Sequence, residues 1–251
     1  MIDTHSHLFS EEFELDIDSC VERCKENNVN KIVLVGFSDI TNIKAQELAK
    51  KYDIFYPTAG IHPEEANNDY LAKFNGLKEF IKNNKVYAIG ECGLDYYWDI
   101  TYKEEQKKLL RLQCELALEL DLPIIIHMRD ATKDTYDILK DYKGLRGVMH
   151  CYSGSYEMAK EFIKLGFYIS LGGPVTFKNA KEPKLVAKGI PLDRLLIETD
   201  CPFLAPTPFR GKRNESSYVK YVCEEIAKIR EMSVSDIERI TEENAKNLFK
   251  I

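Results

Sequence analysis

Eight short runs of apolar residues recur along the chain, at 1–4, 31–37, 54–60, 86–91, 123–127, 147–150, 167–171 and 195–199. Most are nearly continuous in Ile, Val, Leu, Ala and Tyr, with little polar alternation. Strands covered on both faces read this way, as in parallel sheets, because neither face meets water. Between the runs lie segments whose apolar residues return every three or four positions: 17–27, 41–52, 71–83, 103–120, 134–142, 155–165, 182–188 and 216–230. The longest puts Leu109, Leu112, Leu116 and Leu120 on one helical stripe. A polar-rich segment closes the chain. Ser235 and Glu238 have capping-box spacing, and Thr241 is read as the start of another short helix reaching Phe249.

Eight strand–helix units follow one another without linker, low-complexity tract or composition break. They predict one domain over residues 1–251, an α/β protein folded as a single closed (β/α)8 TIM barrel with a short C-terminal helical extension. The competing fold is an open doubly wound sheet, which gathers its ligands near one switch point. Here polar residues end at least six of the runs. A barrel brings all its strand ends to one mouth, so the barrel is preferred.

Composition adds exclusions. The chain has 251 residues, 44% hydrophobic and 30% charged, enough for a substantial core. No apolar run approaches the ~20 residues of a membrane span. The first residues lack the basic and apolar regions of a signal peptide. The seven cysteines are an odd number with no CxxC pair, which suits reduced thiols. A cytoplasmic monomer without membrane attachment is expected. The net charge of −6 argues against bulk electrostatic capture of nucleic acid. It leaves room for a local basic patch or for bound cations that neutralise phosphate.

Four of the five histidines fall where strand-like runs end. His5 and His7 are two apart, so strand periodicity turns both toward one side, and Asp3 precedes them. Glu91 ends the fourth run in Ile-Gly-Glu-Cys-Gly, where a carboxylate is costly unless neutralised. His127 and His150 end the fifth and sixth runs. Asp200 follows the eighth, with Glu198 one layer lower as a supporting carboxylate. Four imidazoles and two carboxylates exceed the four ligands of a closed structural zinc site. They suit two divalent ions with open positions for water and substrate. His62 lies beyond the third run and is read as a substrate contact. Arg129 shares a face with His127, and Ser153 follows His150; both are further substrate candidates. After the eighth run, three prolines precede a basic cluster in which Arg210, Lys212 and Arg213 are read as phosphate-binding, with Lys178 adding to that patch.

In these motifs the chain resembles the TatD family of metal-dependent deoxyribonucleases, within the amidohydrolase-like barrels. The resemblance runs from Asp3-Thr4-His5-Ser6-His7 through Gly60-Ile61-His62-Pro63, the segment from Gly90 to Tyr97, and His127-Met128-Arg129-Asp130. It continues through the segment from His150 to Gly154, Thr176-Phe177-Lys178, the segment from Glu198 to Pro202, and the segment from Arg210 to Glu215. It implies that His5, His7, Glu91 and Asp200 hold one ion and that Glu91, His127 and His150 hold the other. Glu91 would bridge them, where many related barrels use a carboxylated lysine. It also implies that His62 and the Arg210 loop face substrate phosphate. Two positions depart from the pattern: Glu64, where histidine is frequent, and Ser216, where proline is frequent.

The expected activity is hydrolysis of DNA phosphodiesters from a 3′ end, on single-stranded or 3′-terminal substrate. Asp200, Glu91 and His62 are the catalytic candidates. The expected cofactors are two divalent cations, Zn, Mn, Co or Ni by imidazole preference, with Mg as an alternative activator. The rival activity is amide or ester hydrolysis, for example of an aminoacylated RNA. A non-catalytic, metal-dependent nucleic-acid-binding protein is the remaining alternative.

Overall fold

The computed structural model describes residues 1–251. Its eight strands are β1 (Ile2–Ser6), β2 (Lys31–Val35), β3 (Phe55–Thr58), β4 (Ile89–Asp95), β5 (Ile124–Arg129), β6 (Gly147–Met149), β7 (Phe167–Leu171) and β8 (Leu195–Ile197). A helix follows each: α1 (Ile17–Glu26), α2 (Asp39–Ala49), α3 (Tyr70–Asn83), α4 (Lys103–Glu119), α5 (Thr132–Leu139), α6 (Tyr156–Lys164), α7 (Lys181–Gly189) and α8 (Val219–Arg230). A ninth helix, α9 (Val234–Phe249), ends the chain.

All strand pairs are parallel, in the orders β1-β2-β3 and β4-β5-β6-β7-β8. Two bridges, Ala59 to Ile89 and Ser6 to Cys201, close the ring. The second seam joins the first strand to the segment after the last. There the His7 N–H donates to the Cys201 carbonyl and the Asp200 N–H to the His5 carbonyl, each at 2.9 Å. Residues nearly two hundred positions apart are thereby fixed side by side. The buried Asp3 carboxylate reinforces the seam, accepting from the Thr199 N–H at 2.9 Å and the Thr199 hydroxyl at 2.6 Å. Burial is the main reason its pKa rises to about 7.

Alternate strand residues serve two cores. Ile32 and Leu34 of β2 join the large core between strands and helices. Val33 and Val35 join a second core with Ile2, Ala88, Ile125, Val148 and Leu196, inside the barrel. Ala245, Leu248 and Phe249 of α9 belong to that inner core. The C-terminal helix is therefore no short extension: it stops the barrel floor. It is continuous from Val234, capped by Ser233, whose hydroxyl accepts from the Asp236 N–H. Thr241 does not begin a helix. It lies within α9, and its hydroxyl donates to the Ile237 carbonyl at 2.8 Å. The Met1 ammonium binds Glu238 at 2.9 Å, and the Asn244 amide donates to the Leu192 and Leu195 carbonyls at 2.8 Å. Periodicity alone could not reveal this plug, because its core partners come from five strands, with Ala88 just before a sixth. No helix is long and apolar enough to cross a membrane.

If α9 seals the floor, truncating its last aromatic ring opens a cavity in the inner core. Phe249→Ala is expected to cost about 3–5 kcal/mol in unfolding free energy. Urea unfolding followed by circular dichroism measures this, and a cost under about 1 kcal/mol would reduce α9 to an appendage.

Candidate metal centre

The fourth strand departs from its sequence reading in a way that builds the site. The apolar run ends at Glu91, but β4 begins at Ile89 and continues to Asp95, so Glu91 lies inside the strand. The pairing with β5 shifts register between Ile89 and Cys92. Gly93 has φ +150°, and a Cβ there would overlap the His127 carbonyl oxygen. Gly-Glu-Cys-Gly thus lets β4 press against β5 and turn Glu91 inward among the histidines.

The two Glu91 oxygens face different histidine pairs. Oε1 lies 3.0 Å from His127 Nδ1 and 2.9 Å from His150 Nε2. Oε2 lies 3.3 Å from His5 Nε2 and 3.7 Å from His7 Nε2. Asp200 Oδ1 stands on the second side, 3.5 Å from His7 Nε2 and 3.8 Å from His5 Nε2. Within the pairs, the His5 and His7 Nε2 atoms are 3.2 Å apart, and His127 Nδ1 and His150 Nε2 are 3.3 Å apart. The His5 and His150 rings stack at 3.9 Å between centroids, joining the two halves. Asp200 holds its position with φ +58°, a left-handed conformation that aspartate tolerates better than most residues.

The donor set fits divalent cations. Two nitrogens sharing one tetrahedral ion at 2.0–2.1 Å would sit about 3.3 Å apart, and both pairs match that spacing. His5, His7 and Asp200 form one group able to hold an ion, and His62, Glu91 and His127 another. A third joins His5, His150 and Glu198.

Burial raises the Glu91 carboxyl, but His150 and His5, with hydrogen bonds from His127 and His150, outweigh it and hold the group well below the usual carboxylate range. Burial likewise opposes ionisation of Asp200, and His7, His5 and His150 prevail to keep it low. Both carboxylates are thus ready as anionic ligands.

Two further carboxylates stand behind the imidazoles, and one of them is hydrogen-bonded to its ring. Asp95 Oδ2 lies 2.9 Å from His127 Nε2, leaving Nδ1 to face Glu91. Glu198 Oε1 lies 3.5 Å from His150 Nδ1 and accepts from the Cys151 N–H at 2.6 Å. Glu198 was legible as a supporting group. Asp95 was missed; the one signal for it was its place four residues after Glu91. Such carboxylates fix ring orientation and increase ligand basicity.

His62 sits closer to the cluster than its loop position suggested, with Nε2 3.6 Å from Glu91 Oε1. Its Nδ1 accepts from the Glu64 N–H at 3.2 Å, so the neutral ring carries its proton on Nε2. Burial is the main cause of its pKa falling to about 3.

Two adjoining cavities of ≈ 340 and ≈ 440 Å³ open onto the cluster. Arg129 lines both and Ser153 lines the first. Lys178, Arg210 and Lys212 are exposed and line neither. Arg210 instead lies over the Phe177 ring at 4.5 Å, joining the loops after β7 and β8. Arg213 departs from its reading as a phosphate ligand. Its guanidinium binds both Asp16 oxygens at 2.7 Å, beside an Arg23 fork on Glu215 at 2.6 to 3.1 Å. Its charge is already neutralised. Ser216 is buried, and its hydroxyl donates to Ser6 Oγ at 3.2 Å.

A closed parallel barrel with a buried histidine–carboxylate cluster at its C-terminal mouth defines a metal-dependent hydrolase of the amidohydrolase-like type. Comparison gives the family. The model described as TatD related DNase matches residues 2–250, and the chain belongs to that family. It is 53% identical over 253 residues to the metal-dependent hydrolase YabD of Bacillus subtilis, covering 100% of this chain and 99% of that protein. The metal-dependent hydrolase YcfH of Escherichia coli K12 is 34% identical over 256 residues, covering 100% and 96%. Among solved structures, the TatD homologue YJJV of Escherichia coli superposes with TM-score 0.93 at 29% identity, covering 100% and 98%.

If Asp95 orients a metal-ligating imidazole, Asp95→Asn should weaken divalent-cation binding about 10–100-fold while the protein stays folded. Calorimetric titration of stripped protein with Mn²⁺ or Zn²⁺ tests this. Unchanged affinity would leave Asp95 a purely structural acceptor.

Proposed function

We propose that this protein is a two-metal phosphodiesterase that removes nucleotides from the 3′ end of single-stranded DNA. The observation that carries the reading is Glu91, whose two oxygens each face a pair of imidazole nitrogens. His5, His7, Glu91 and Asp200 would hold one cation; Glu91, His127 and His150 would hold the other. When bound, such ions lower the pKa of a water toward neutrality and screen charge on a phosphoryl oxygen. Imidazole-rich ligation favours zinc, manganese, cobalt or nickel over magnesium.

The chain's own groups then divide the remaining work. Asp200, anionic and lining both cavities, orients the attacking water and accepts its proton as the new oxygen–phosphorus bond forms and the bond from phosphorus to the leaving 3′ oxygen breaks. His62 stays neutral near pH 7 and offers Nε2–H to a phosphoryl or leaving oxygen. Arg129, which is paired with no carboxylate, supplies positive charge beside the cluster, and Ser153 adds a hydroxyl. Lys178, Arg210 and Lys212 are likewise without ion-pair partners and would meet phosphates further along a strand. Substrate charge favours a phosphodiester over a neutral amide or ester.

Wild-type protein loaded with Mn²⁺ should shorten a labelled single-stranded oligonucleotide from its 3′ end, and chelation should stop it. Glu91→Ala, shown folded, is expected to lose at least ~100-fold in rate. Near-full nuclease activity in that variant would end the bridging assignment. Turnover of aminoacyl esters or small amides, with none on DNA, would select a deacylase or amidohydrolase. Tight DNA binding without turnover would select a binding protein.

A further inference from the structure

The loop after β4 displays the chain's only tryptophan, Trp98, to solvent. Its side chain is 66% exposed, beside Tyr97 at 53%. Phe203, in the loop after β8, is 57% exposed. Both Trp98 and Phe203 line the ≈ 440 Å³ cavity that holds His62, Glu91, His127 and Asp200. In an eight-stranded ring, the ends of β4 and β8 lie on opposite sides of the mouth. The two aromatic groups therefore flank the cluster from opposite edges.

The loop that carries the indole is tied to the site. Asp95 Oδ1 accepts from the Tyr97 N–H at 2.8 Å, while its Oδ2 faces His127 Nε2. One carboxylate thus ties the aromatic loop to an imidazole of the cluster. The Arg129 guanidinium lies 3.7 Å from the Tyr97 ring centre and 5.3 Å from that of Trp98. Tyr97 and Trp98 meet edge to face at 4.7 Å. Asp99 accepts from the Thr101 N–H at 2.8 Å and closes the turn. A water-facing aromatic ring on a tethered loop, beside a guanidinium with no carboxylate partner, provides a stacking face and a phosphate contact together.

We infer that Trp98 and Phe203 determine specificity by stacking unpaired nucleobases on either side of the scissile phosphate. The inference rests on the phosphodiesterase reading and goes further, to two residues and to the base as the recognised group. Duplex substrate is disfavoured, because its base faces are already stacked. Every base has a π face, so the contact is tolerant of sequence.

Because Trp98 is the sole tryptophan, its emission reports this contact directly. Metal-loaded protein is titrated with a single-stranded phosphorothioate oligonucleotide and with an abasic strand of equal length and charge. Quenching by the first and not the second is expected, with about 10-fold or more tighter binding of the base-bearing strand. Trp98→Ala should raise the oligonucleotide KM about 10-fold or more with kcat within about twofold, and Trp98→Phe should restore most of the loss. Equal quenching by the abasic strand, or an unchanged KM in both Trp98→Ala and Phe203→Ala, overturns the inference. Wild-type hydrolysis of bis(p-nitrophenyl) phosphate, which carries no nucleobase, separates the two readings. Turnover of that ester, with oligonucleotide KM unchanged in the variants, sinks only the stacking residues. No wild-type turnover of the ester or the oligonucleotide sinks the phosphodiesterase and the inference together.

Discussion

A carboxylate buried between four imidazoles is the constraint around which this barrel is arranged. Glu91 is 4% exposed. An isolated anion there would be strongly unfavourable, and shared protons or cations must compensate it. Placing it needs an irregular β4, and irregularity needs glycine at the close approach to β5. Surrounding it needs histidines from β1, β5 and the end of β6, which only a closed ring brings to one point. Closure in turn depends on the seam where the His5 and Asp200 backbones bond directly. The chemistry and the topology are one requirement.

That requirement explains how the molecule's two ends differ. At the floor, α9 fills the inner core with Ala245, Leu248 and Phe249, and the chain's first and last elements are joined by the Met1–Glu238 ion pair. At the mouth, the inner positions are polar: His5, His7, Glu91 and His150 are buried there. Rigidity below lets several strand ends hold side chains within about 3–4 Å of one another above.

The fold was legible because parallel strands buried on both faces are continuous in apolar residues, and helices between them keep their stripes. The clustered histidines and carboxylates were legible for a related reason: a titratable residue stands out against an apolar run. Legibility failed where a residue's meaning lay in a distant partner. Arg213 looked like a phosphate ligand, but Asp16 claims it. Thr241 looked like a helix start, but Ser233 caps one continuous helix. Asp95 falls in the tail of β4, beyond the apolar run, so only its spacing from Glu91 set it apart from a loop carboxylate.

The redistribution of positive charge changes how substrate recognition must be understood. A proline-stiffened basic loop suggests one concentrated phosphate patch. In the structure, Arg213 is spent on holding that loop to the start of α1, and Arg210 leans on Phe177 to join two loops. Only Arg129 among these cations lines the cavities at the cluster. It sits two residues after His127 on the same strand, so its position is set by the element that sets the ligand. A cation carried on a strand of the barrel has less backbone freedom to lose than one carried on a loop. The surface lysines, by contrast, act over longer range and are screened by salt. Positive charge close to the cluster thus comes from the rigid scaffold, and charge farther out comes from the loops.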